Sequence, residues 1–107
     1  MMSDDERQIR VIIDYISEYL PEPQSTWPKK EFERVAYCRW AANEILKSLY
    51  NNPNWTAIRV VEEFKCQMGN YIMKSKSTHF PEASIHCEYA YEVACDIEEI
   101  LMAMFPY

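Results

Sequence analysis

The chain has 107 residues, 49% of them apolar, with 17 acidic against 11 basic side chains and a formal charge of −6. That length supports one hydrophobic core without metal or disulfide staples, and one glycine with six prolines leaves no Gly-rich phosphate loop. The acidic balance argues against direct binding to nucleic acid, which needs a basic footprint, and leaves a basic protein partner open.

Taken in order, the chain begins with Ser3 and Glu6 at capping-box spacing, and Asp4 and Asp5 suit the positive end of a helix dipole. A first helix is predicted over residues 4–20, with Ile9, Ile12, Ile13, Ile16 and Leu20 on one stripe and Val11 and Tyr15 on a second side. Pro21 ends it, and Pro21, Pro23 and Pro28 stiffen the loop that follows. Ser25 or Thr26 is the expected cap of a second helix over 28–50, with Pro28 in its first turn. Winding that helix at about 100° per residue places Phe32, Val35, Ala42, Leu46, Leu49 and Tyr50 on one face, with Arg39 and Asn43 inside it. Tyr37 and Trp40 fall off that face, beside Glu33 and Glu44.

Asn52 and Pro53 read as cap and first residue of a third helix over 53–74, gathering Ala57, Val61, Phe64, Met68, Tyr71 and Ile72. Gly69 interrupts it at a cost of about 1 kcal/mol against alanine. Either a neighbouring helix approaches closely there or the helix breaks; a continuous helix is the expectation. The fourth helix, over 81–105, opens at Pro81. Its inward face is predicted to hold Ala83, His86, Ala90, Val93, Ala94, Ile97, Leu101 and Met104. Glu88, Glu92, Asp96 and Glu99 form an acidic stripe opposite, and Phe105, Pro106 and Tyr107 are expected to fold back onto the bundle. Four amphipathic helices on short connections make an all-α four-helix bundle, compatible with two packed helical hairpins.

The constellations that carry chemistry are sparse. No Glu-x-x-His pair exists for a di-iron centre. Glu82 and His86 are spaced to share one metal ion, yet His86 falls on the apolar face and reads as a core histidine. His79 with Lys74 and Lys76 makes a small basic spot that reads as solvated surface. His86 and Cys87 point about 100° apart on a helix, so the imidazole is badly placed to activate that thiol. Cys38, Cys66, Cys87 and Cys95 lie in helical patterns without a CxxC pair and read as small core residues and free thiols. Neither a secretory signal nor an apolar run of membrane-spanning length is evident. The expectation is a cytosolic domain without cofactor or metal and without catalytic activity.

Tyr37, Arg39-Trp40-Ala41, Glu44-Ile45-Leu46, Val61-Glu62-Glu63-Phe64, Met68, Tyr71, Ser75-Lys76 and the stretch from Ala94 to Leu101 together give the chain a likeness. In these it resembles small all-helical proteins from mobile elements of anaerobic bacteria, a group without an assigned activity. The resemblance covers about two thirds of the chain, from the second helix onward. It implies one helical domain and supplies no catalytic residue.

The functional expectation is a protein–protein interaction module that self-associates, a symmetric homodimer being the commonest oligomer. Its surface would comprise Glu33, Tyr37, Trp40 and Glu44, since off-face aromatics are favoured interface anchors. The alternative is an acidic inhibitor or nucleic-acid mimic that engages a basic cleft through Glu88, Glu92, Asp96 and Glu99. Arg39 is expected to pair with a carboxylate on another helix or to stack on an aromatic ring.

Overall fold

The second, third and fourth helices bury residues spaced alternately three and four apart, the pattern that lets one helix seat its side chains between those of another. The computed structural model describes residues 4–77 and 81–105, with side chains described for 6–74 and 85–105. It places α1 at Asp4–Tyr19, α2 at Lys29–Asn51, α3 at Ala57–Ser77 and α4 at Pro81–Met104. These make an all-α four-helix bundle, with no strand among the described residues. On α2 the buried seam is Val35, Cys38, Ala41, Ala42, Ile45 and Leu49. Ala57, Val60, Val61, Phe64 and Met68 form it on α3, and Ala90, Val93, Ala94, Ile97 and Leu101 on α4. Ala41, Ala42, Ala90 and Ala94 are all fully buried; side chains this small allow helix backbones to approach closely.

α1 adds Ile12, Tyr15 and Leu20 to the same core, together with a buried polar residue, Gln8. Tyr15 reaches Asp96 and Arg7 lies against the Phe105 ring, so α1 and α4 run antiparallel. Arg39 meets the end of α1 at Leu20, while Leu49 and Tyr50 share a crevice with Gln8 and Ile9. α2 is therefore antiparallel to α1 as well. Lys65 bonds Glu98 at 3.1 Å and Met68 shares a groove with His86, which sets α3 antiparallel to α4.

Several sequence expectations are corrected. The inward face of α2 is rotated from the expected one: Phe32, Asn43 and Tyr50 are exposed, while Cys38, Ala41 and Ile45 are buried. Large apolar residues at the ends of the helix draw the expected face toward themselves, whereas cysteine and alanine are weak hydrophobic signals. The α2 N-cap is Pro28, without a side-chain cap bond, so neither Ser25 nor Thr26 performs that role. α3 starts later than expected. Residues Asn52–Trp55 close a turn through a Trp55 N–H to Asn52 carbonyl bond of 3.0 Å. Thr56 is then the cap, its Oγ1 accepting from the Arg59 N–H at 3.2 Å. Tyr71 and Met104, expected inside, are exposed. Phe105 packs against the core; Pro106 and Tyr107 lie outside the described residues, as do Ser3 and the side chains of Glu82 and Ala83.

α3 runs unbroken through Gly69, and a Cβ built there meets nothing within 4 Å. The glycine therefore marks neither a break nor a close helix approach. None of the helices is long and apolar enough to cross a membrane among the described residues.

Candidate functional site

Tyr37 and Trp40 project from α2 because they sit one turn apart on the flank of its buried seam. α4 brings His86 under Tyr37, where the two rings stack with centroids 3.8 Å apart and planes within 16°. α3 brings Phe64 against the inner edge of Trp40, 6.2 Å between centroids and tilted by 51°. Met68 and Tyr71, one turn apart on α3, and Cys87 on α4 complete an open groove of about 450 Å³. Its base is the Tyr37–His86 stack and the buried Met68. Its rims are Trp40, 47% exposed, and Tyr71, 53% exposed.

Among the described residues, no carboxylate, lysine or arginine lines this groove. Glu33 and Glu44 lie on the same α2 stripe, one turn beyond Tyr37 and Trp40, and bracket the groove without lining it. Each is held by a lysine of its own helix, Lys29 at 4.0 Å and Lys47 at 3.7 Å. Exposed pairs of this kind contribute about 0.3–0.5 kcal/mol. Of the four residues expected at the interaction surface, the structure thus puts two in the groove and two at its ends. Sequence reasoning missed the other walls. The sequence pattern assigns Tyr71 and His86 to the core and reads Cys87 as a small core residue or free thiol. Their helical phase placed them near the core edge, and only the packing of three helices shows that this edge is open.

The acidic stripe has a different setting. Glu92, Asp96 and Glu99 line a second groove, about 420 Å³, with Tyr15 and Tyr19 of α1 and Arg34 and Cys38 of α2. Glu88 is exposed and lies outside it. The Tyr15 hydroxyl donates to Asp96 Oδ2 at 3.2 Å, and its ring tilts against Tyr19 at 5.5 Å. Burial, and then the Asp96 carboxylate, push the Tyr15 hydroxyl well above the usual phenol range. Burial likewise pushes the Cys38 thiol up to about 11; its Sγ lies 3.9 Å from the Tyr89 carbonyl. A thiol held neutral in this way is a poor nucleophile.

Arg39 donates from Nη1 to the Leu20 carbonyl, at the C-terminal end of α1. The partner is a main-chain oxygen rather than the expected carboxylate or aromatic ring. It satisfies a carbonyl the helix leaves without an internal donor and places positive charge at the negative end of the dipole. Of the other cysteines, Cys66 is exposed, correcting its expected place in the core, and Cys87 and Cys95 are partly buried. Lys65 sits between Glu98 and the Tyr91 ring, and the Glu98 hydrogen bond raises its pKa above the usual lysine value.

Among the described residues no three His, Cys, Asp or Glu side chains gather in a way that could hold a metal ion. His79, Lys76 and the Glu82 side chain lie outside them. Comparison with protein-family models, with curated proteins and with solved structures returned no match.

Proposed function

We propose that this protein is a protein–protein interaction module that docks partners through the groove between α2, α3 and α4. The observation that carries the reading is an open apolar groove whose rims are a half-exposed tryptophan and a half-exposed tyrosine. Aromatic anchors of this kind are enriched where association energy concentrates, and the stacked Tyr37 and His86 rings lie in the same groove. Self-association through the same surface is the version expected from the sequence, and sedimentation velocity across a concentration series reads it directly.

The test is capture from a native lysate on immobilised wild type and on a Trp40→Ala/Tyr71→Ala variant. Both would be checked for folding by circular dichroism. A partner retained by wild type and lost by the folded variant supports docking at the groove. Identical retention by both removes the groove from the function.

A second reading, an acidic inhibitor or nucleic-acid mimic, is favoured by the groove that Glu92, Asp96 and Glu99 line with two tyrosines. Binding of that type would fall steeply with added salt and would be lost in a Glu92→Gln/Glu99→Gln variant that keeps Trp40.

A further inference from the structure

We infer that the occupant of the aromatic groove is a basic amphipathic helix of another protein. Its apolar side chains sit between Trp40 and Tyr71, and its Lys or Arg side chains reach Glu33 and Glu44. This rests on the groove being the docking surface and adds the chemistry of what docks there.

The charge layout selects the partner. The centre of the groove is apolar, lined by Tyr37, Trp40, Met68, Tyr71, His86 and Cys87. Its two ends on α2 carry carboxylates. The complementary surface has large apolar side chains in the middle and cations outside them, the usual order of an interface with a desolvated core and a charged rim. Glu33 and Glu44 are three helical turns apart, about 16 Å along the axis. A helix laid along α2 spans that distance with anchors at i, i+3 or i+4, and i+7 between its end cations. The lysines now beside the two carboxylates, Lys29 and Lys47, are themselves 90% and 73% exposed, so an incoming cation displaces weak contacts only. The net charge of −6 also draws a basic segment toward the protein over a longer range.

The same layout disfavours a second copy. A two-fold axis in the plane of the interface and perpendicular to α2 turns the stripe end for end. It sets Glu33 of one copy opposite Glu44 of the other, between two chains that each carry −6. Like charges so placed oppose the contact.

The experiment is selection of a displayed library of helical peptides, about four turns long, on the folded wild-type protein. Enriched peptides would then be measured by fluorescence anisotropy. The expected winners carry three large apolar residues at helical spacing and a positive net charge. Their affinity should drop at least about tenfold with Trp40→Ala or Tyr71→Ala, as for an interface hot spot. It should drop about three- to tenfold with Glu33→Gln/Glu44→Gln, and that second difference should vanish in high salt. Neutral or acidic winners, or equal binding by the glutamine variant, overturn the basic partner but leave docking at the groove standing. Absence of enrichment, or winners indifferent to both aromatic substitutions, overturns docking and partner together. A dimer that Trp40→Ala abolishes assigns the groove to a second copy and overturns the basic partner alone.

Discussion

Replacing Gly69 with alanine should stabilise the protein, and the size of the gain follows from what surrounds the glycine. Residue 69 lies inside α3, far from either end of Ala57–Ser77, so the whole helix-propensity difference applies, about 1 kcal/mol. The added Cβ meets nothing within 4 Å, so it gains no packing and suffers no clash. What remains is the smaller conformational freedom of alanine in the unfolded chain, about 0.4–1 kcal/mol. With a urea slope of roughly 1.5 kcal/mol/M, that moves the midpoint up by about 0.3–0.7 M. It raises Tm by about 2–8 °C for a chain of this size. Urea titration followed by far-ultraviolet circular dichroism reads it, and the slope should not change because almost no surface is altered. Gly69→Leu is the companion. In open space it should match alanine to within a few tenths of a kcal/mol, whereas a neighbouring helix packed on that site would make leucine destabilising. A lower midpoint for the alanine variant would refute the reasoning, since it would mean that α3 needs glycine's freedom there.

Three further outcomes are expected. Ile45→Ala, which empties a fully buried position, should cost about 2–5 kcal/mol by urea titration, whereas Tyr50→Ala at the exposed end of the same helix should stay within about 1 kcal/mol. Arg39→Met keeps an unbranched apolar stem but removes the donor to the Leu20 carbonyl; a loss of about 1–3 kcal/mol is expected, and Arg39→Lys should recover part of it. Cys38 is held protonated in the fold up to about pH 11, while the unfolded chain releases that proton above about pH 9. Its contribution is therefore complete below pH 9 and lost as pH rises toward 11; Tyr15, also raised, shifts stability in the same direction at higher pH. Stability measured from pH 8 upward should fall less steeply in Cys38→Ala, and a thiol reagent at pH 8 should label Cys66 well before Cys38.

The number and type of helices were legible because each carries an apolar period of 3.6 and a proline near its start or end. The rotation of α2 was not. Its buried seam turns on Cys38, Ala41 and Ile45 beside Val35 and Ala42, and cysteine and alanine are weak hydrophobic signals but good contact surfaces. The start of α3 was misread because Asn-Pro is an equally good turn, and Thr56 four residues later offered a second cap. Two of the six residues that line the groove could be read from α2 alone, where Tyr37 and Trp40 stand off the seam. Met68, Tyr71, His86 and Cys87 could not be joined to them, because the register between three helices is a property of packing and leaves no mark at fixed spacing in the chain. Arg39 shows the same limit. Its unusual position was visible, but its partner is a backbone oxygen, and every residue has one.

The way α1 is fastened bears on the order in which the molecule assembles. α3 and α4 are neighbours in the chain and in space, so their contacts close a short loop at small entropic cost. The Tyr15 hydroxyl, by contrast, bonds a carboxylate 81 residues away, and Arg7 meets Phe105 across a similar span. Contacts of such sequence separation form only after most of the chain has been arranged. The α3–α4 hairpin and, by the same argument, the α1–α2 pair that Arg39 closes on Leu20 are therefore expected to form before α1 closes onto α4. Tyr15→Phe should then leave the folding rate nearly unchanged and raise the unfolding rate, the signature of a contact absent from the transition state. Stopped-flow refolding in which the mutation slowed folding instead would place the α1–α4 contact in the nucleus.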